Sequence, residues 1–206
     1  MLQLKARIAA AVAAFAVMST MTACGPAPWN GGSDPGPEPS ATRSTPVPKP
    51  VSNDLSSGST QRTVTAGAVT ATIDYWSTLS MDRWTATALK PISLSMVTTV
   101  TPDDGQKVYL QKATMVAVPA DGTRTFDALA PQTDQSSVAP GYLVLAPYSY
   151  SQTFNVGDVP AGATYVTVQF TFDFLVQTTP TSSEYAKQTA SDTLVVAVAP
   201  APDAAD

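Results

Sequence analysis

The chain has 206 residues, of which 44% are hydrophobic and 13% charged, with 11 basic residues, 16 acidic residues, one cysteine and no histidine. That length suits one domain, and an acidic chain without a Lys/Arg cluster lacks the basic face that phosphate neutralisation demands, which excludes nucleic acid as a partner. One thiol and no imidazole exclude an internal disulfide and any zinc site built on Cys and His.

Residues 1–23 have the layout of an export signal. Lys5 and Arg7 form a positive start, and Ile8 to Met18 (IAAAVAAFAVM) supply 11 consecutive apolar residues. Small residues Thr22 and Ala23 then precede Cys24. A permanent membrane span needs about 20 apolar residues, so the run is too short to serve as one. The stretch MTACG, Met21 to Gly25, resembles the lipobox of bacterial lipoproteins, with Met21 standing where leucine is usual. That resemblance implies diacylglyceryl attachment to the Cys24 thiol and cleavage before it. The mature protein would then be lipid-anchored to the extracytoplasmic face of the cell membrane. Two acyl chains make such an anchor stable where one is marginal.

Residues 24–62 follow as the lipidated cysteine and a Pro/Gly/Ser-rich tether. Between Gly25 and Ser59 lie 8 of the chain's 18 prolines and almost no aliphatic side chains, so ordering entropy is not offset by burial. Such a segment is expected to be disordered and semi-extended.

From residue 63 to 199 the period becomes two. AVTATIDYW places Val69, Ala71, Ile73 and Tyr75 on one face, and ISLSMVTTV places Ile92, Leu94, Met96 and Val100 likewise. KVYLQKATMVAV changes phase around Lys112, which predicts a bulge or an edge. GYLVLAPYSYSQTFNV is a strand interrupted at Pro147. TYVTVQFTFDFLV is the clearest case, with Val166, Val168, Phe170, Phe172, Phe174 and Val176 on one face. DTLVVAVA closes the domain before a disordered tail, 200–206. Turn signals at 101–106, 119–123, 138–142 and 159–163 separate these runs. The expected fold is all-β: a two-sheet, immunoglobulin-like sandwich of about seven to nine strands. The order of segments ending in VPAGATYVTVQF resembles the telokin-like, immunoglobulin-type sandwich of actinobacterial secreted antigens and lipoproteins. That resemblance implies no activity.

The search for chemistry gives few candidates. Without histidine the usual acyl-transfer triad is out, and Ser183 four residues before Lys187 reads as a solvated loop. Asp74 and Asp82 flank YWSTLSM, with Trp76 and Trp84 nearby, and Tyr148 and Tyr150 lie on one side of a predicted strand. Those four rings are the candidate ligand platform, for stacking on a sugar. The competing reading puts a tryptophan in the core with tyrosines around its rim. Asp103, Asp104 and Asp121 are calcium-type ligands, but they lack EF-hand spacing and sit in Asp-Gly turns. Met81, Met96 and Met115 read as core packing. No metal, cofactor or catalytic residue is expected. The expected function is a non-enzymatic interaction or envelope-associated module with an unknown protein or glycan partner. A carbohydrate-binding or carbohydrate-hydrolysing module is the alternative.

Overall fold

The computed structural model describes residues 52–200; the export signal, Cys24, the tether as far as residue 51 and the tail from 201 lie outside the described residues. Strands form where side chains alternate. They are β1 (Ser59–Ala66), β2 (Val69–Trp76), β3 (Lys90–Val100), β4 (Val108–Ala120), β5 (Gln132–Gln135), β6 (Tyr142–Leu143), β7 (Tyr150–Val156), β8 (Tyr165–Gln177) and β9 (Tyr185–Ala197). Among the described residues the one helical turn is a 3-10 turn at Met81–Arg83.

The strands make two antiparallel sheets. One runs β1-β2-β3-β7, and the other runs β5-β4-β8-β9 with β6 also paired to β4. The chain crosses between sheets after β3, between β6 and β7, and again after β7. These crossovers give the Greek-key connectivity of an immunoglobulin-type sandwich, with β1 added at an edge.

β8 is the centre of the core. Its six predicted inward residues are all 5% exposed or less. Phe170 meets Tyr75 of the facing sheet at 5.2 Å and Phe154 at 5.6 Å, and it stacks on Phe172 at 6.0 Å. The phase change in β4 is a bulge, since pairing with β8 shifts register between Leu110 and Lys112. Close approach of the neighbouring chain at that point demands glycine. Gly141 has φ +153°, and a Cβ there would collide with the Leu110 carbonyl oxygen.

Three expectations need correction. Asn53 to Arg62 belong to the sandwich and not to the tether. Leu55 is fully buried, worth about 1.5–3 kcal/mol, and β1 pairs with β2 along its whole length. Tyr185 to Gln188 are not a solvated loop but the start of β9, paired with β8 from Gln177 inward. The segment around Pro147 is two strands rather than one, because β6 joins one sheet and β7 the other.

Both sides where the two sheets meet are bridged. On one side the Gln132 amide stands in for a neighbouring strand: its Oε1 accepts the Asn155 N–H at 3.0 Å while its Nε2 donates to the Asn155 carbonyl. Beside it, the Tyr150 hydroxyl donates to Asp134 Oδ2 at 2.7 Å. On the other side Asp54 donates its N–H to the Val195 carbonyl at 2.8 Å, and its Oδ2 accepts the Val195 N–H at 2.7 Å. Arg62 points inward from the edge strand β1 and pairs with Asp54 at 2.8 Å. Inward charge on an edge strand is a known protection against sheet-to-sheet aggregation. This second side also holds three buried polar atoms without a hydrogen-bond partner: Arg62 Nε, the Tyr75 hydroxyl and Asp192 Oδ2.

Candidate functional site

The four candidate rings do not share a surface. Trp84 is fully buried, its Nε1 donating to Ser77 Oγ at 3.3 Å while Ser77 donates to the Pro91 carbonyl at 2.7 Å. Tyr150 is 5% exposed; it faces inward, 5.4 Å from Tyr142. Burial and the Asp134 charge raise its phenol well above the ordinary value. Both are therefore corrected from ligand platform to core, because their polar tips find partners inside and their rings fill the sandwich. Trp76 ends β2 half-buried on the outer face, and only Tyr148, before β7, is largely open at 57% exposure. Asp74 accepts the Gln61 side-chain amide at 2.8 Å. The sugar platform is thus split between core, sheet face and loop.

Most of the remaining candidates are occupied by structural work. Lys187 pairs with Asp173 at 3.1 Å and so is committed away from Ser183. Asp121 Oδ1 accepts from the Thr123 hydroxyl at 2.6 Å and from the Thr123 and Arg124 amides at 2.9 Å, and these bonds hold its carboxyl down to about 2. Asp103 Oδ1 accepts the Gly105 N–H at 3.1 Å. Met96 and Met115 are buried and Met81 packs against the core. Among the described residues no three His, Cys, Asp or Glu side chains gather.

One polar cluster lies on the outer face of the five-stranded sheet. Asp173 is 5% exposed beneath Lys112 at 3.3 Å and Lys187 at 3.1 Å, and it accepts the Thr189 hydroxyl at 2.7 Å. Burial alone would raise its pKa. The Thr189 hydroxyl and the two ammonium groups outweigh burial and hold it below the usual carboxylate range. Its members satisfy one another, which suits a cross-strand fastening.

A groove lies at one end of the sandwich, built from three distant segments. Ala199 forms a parallel bridge with Thr85 and donates its N–H to the Trp84 carbonyl at 3.0 Å, while Val198 donates to the Thr164 carbonyl at 2.8 Å. The extended tail of β9 thereby lies between loops 84–89 and 157–164. On one side of it is a space of about 700 Å³ bounded by Asp82, Arg83, Thr85, Thr87, Ala88 and Ala199. On the other is a space of about 390 Å³ bounded mainly by Thr85–Thr87 and Ala161–Thr164.

The shared wall is held by a buried lysine. Lys90 is fully buried, and its ammonium donates to the carbonyls of Ala88 at 2.6 Å, Thr85 at 3.2 Å and Ala86 at 3.3 Å. Burial pushes its pKa down, and the charge of Asp158 opposes that shift. The three carbonyls accept from the charged form and favour it. A costly buried charge beside a cleft marks the groove as the candidate site. Sequence reading missed it, although one signal was present: Lys90 is in phase with inward Ile92, Leu94 and Met96. The arrangement sets an apolar floor and two exposed charges, Asp82 and Arg83, beside a hydrogen-bonded wall. In comparisons with protein-family models, with curated proteins and with solved structures, no match to this chain was found.

Proposed function

We propose that this chain is an exported bacterial lipoprotein whose β-sandwich is displayed outside the cell membrane as a non-enzymatic interaction module. The observation that carries the reading is Met21 to Gly25 (MTACG), which places the chain's only cysteine six positions after the end of an 11-residue apolar run with a basic start. Residues 1–23 are the discarded signal, and Cys24 becomes the lipid-bearing first residue. Because the sandwich begins at Asn53, residues 24–52 are the tether, which reaches about 90 Å if fully extended in the polyproline form. A binding groove rather than a set of reacting groups is what the sandwich offers, which supports interaction over catalysis.

Intact-mass spectrometry of the membrane-extracted protein tests the anchor. The expected species begins at Cys24 and carries a diacylglyceryl group, and a Cys24→Ala chain lacks that added mass. Membrane-bound protein with an unmodified Cys24 would overturn the reading.

A further inference from the structure

We propose that the end groove binds a short zwitterionic peptide, with the peptide carboxylate on Arg83, its ammonium on Asp82 and its small side chains on the Ala88–Ala199 floor. The inference rests on reading the sandwich as an interaction module and names the chemistry of what it takes.

Three features of the groove point there. The first is pre-organisation. Loop 85–88 is the wall common to both spaces, and the three donors of the Lys90 ammonium all go to its carbonyls. A wall fixed before binding spares the ligand the cost of ordering it. The second is the lining. Ala86, Ala88, Ala161, Gly162, Ala163 and Ala199 keep the walls low, so that an extended backbone can approach closely. Among the described residues no aromatic ring bounds either space, so they offer no stacking surface of the kind a sugar uses, which favours a peptide. The third is charge. Asp82 and Arg83 are adjacent in the 3-10 turn, exposed, and on the rim of the larger space. Neither takes part in the four ion pairs of the described residues. Neighbouring side chains in a helical turn point apart, so the two charges do not quench each other, and each is left for a ligand group of opposite sign. A guanidinium fork matches a carboxylate with two parallel hydrogen bonds. A ligand that is only an anion would meet Asp82, and one that is only a cation would meet Arg83; a zwitterion satisfies both.

The test titrates the full chain in detergent with L-alanyl-L-alanine, following the NMR signals of Thr85, Thr87, Ala88 and Ala199. N-acetyl-dialanine, dialanine amide and cellobiose are the comparison probes. Saturable shifts are expected with dialanine, and about tenfold or greater weakening when either end is blocked, as for loss of one charge-assisted bond. Arg83→Gln should abolish the preference for dialanine over its amide. Asp82→Asn should abolish the preference over the acetylated form. Both positions are exposed, so these variants keep the fold. Absence of a saturable shift up to about 50 mM dialanine, equal binding of blocked and free peptides, or saturation of the same signals by cellobiose would each overturn the proposal. The mass of the mature N-terminus is read separately, so failure here leaves the lipid anchor to its own measurement.

Discussion

Replacing Lys90 by methionine separates the ammonium from the stem that carries it. Methionine fills nearly the same volume, so no cavity opens and the effect is that of the charge and its hydrogen bonds. The three carbonyls are not equal. The Thr85 carbonyl keeps the Ala88 N–H at 3.2 Å and the Ala86 carbonyl keeps the Val159 N–H at 2.9 Å, whereas the Ala88 carbonyl has Lys90 as its donor at 2.6 Å. The short bond to a charged donor is worth about 1.5–3 kcal/mol net, and the two longer ones add less than about 1 kcal/mol each. Relief of ammonium burial opposes these losses. The expected cost is about 2–4 kcal/mol, which for a domain of this size lowers Tm by roughly 4–16 °C. Urea unfolding followed by tryptophan fluorescence is the assay, since Trp84 is buried beside the loop. The midpoint should fall while the urea dependence of the free energy stays unchanged. Because burial lowers the native pKa of Lys90, the unfolded chain binds the extra proton between that value and the ordinary lysine pKa. The parent's stability should gain from Lys90 as pH rises through that window, and the variant should lack the gain. A Lys90→Met protein within about 0.5 kcal/mol of the parent, which is the scatter of an ordinary surface substitution, would refute the claim that this ammonium holds the wall.

Tyr75→Phe removes a buried hydroxyl that makes no close hydrogen bond but faces the Asp192 carboxylate, and should change stability at neutral pH by less than about 1 kcal/mol; a loss of about 2 kcal/mol or more in denaturant unfolding would mean that the hydroxyl is fully bonded to Asp192 in solution. Burial, with the Asp192 charge behind it, raises the Tyr75 pKa far above 10. Its stability contribution is therefore intact below about pH 10 and declines above it as the unfolded phenol ionises, and the variant should show a shallower alkaline decline. Asp173→Asn leaves Lys112 and Lys187 without their shared carboxylate and should cost about 1–2 kcal/mol at pH 7. Since the native Asp173 pKa is depressed, that stabilisation is present above the ordinary aspartate pKa of about 3.9 and is lost as pH falls toward the native value. Acid titrations of parent and variant should converge there.

What the sequence made legible follows from where polar residues sit. β8 and β2 declare themselves because every inward position is apolar, and a period of two then has no competitor. β1 is hidden because its inward positions are Thr60, Arg62, Val64 and Ala66. An inward arginine breaks the pattern, and it is tolerated only because Asp54 accepts its charge. The first turn of β9 is hidden for the same reason, with Gln188 facing inward to accept the Ala68 N–H at 3.1 Å beside Gly67, whose φ is +56°. Spacing cannot choose between platform and core for Trp84 and Tyr150, because Ser77 and Asp134, the partners that let them go inside, are fixed by the fold. The groove was illegible for a deeper reason. Its walls come from residues 82–88, 161–164 and 198–200, and nothing local in any of them announces the others.

The register also fixes where the chain enters relative to the groove. Ser59 pairs with Trp76, so the start of β1 lies at the end of the sandwich where β2 runs into the 77–89 segment. Asp54, earlier still, is bonded to Val195, three residues before the Val198 that borders the groove. Asn53, where the sandwich begins, therefore lies toward the groove end and not the opposite one. A large partner approaching from the opposite pole would meet the turns around 103–106 and 178–184. The two sides between the sheets offer a partner strand less, since Gln132 and Asp54 already occupy the backbone groups of Asn155 and Val195 that β-addition would need.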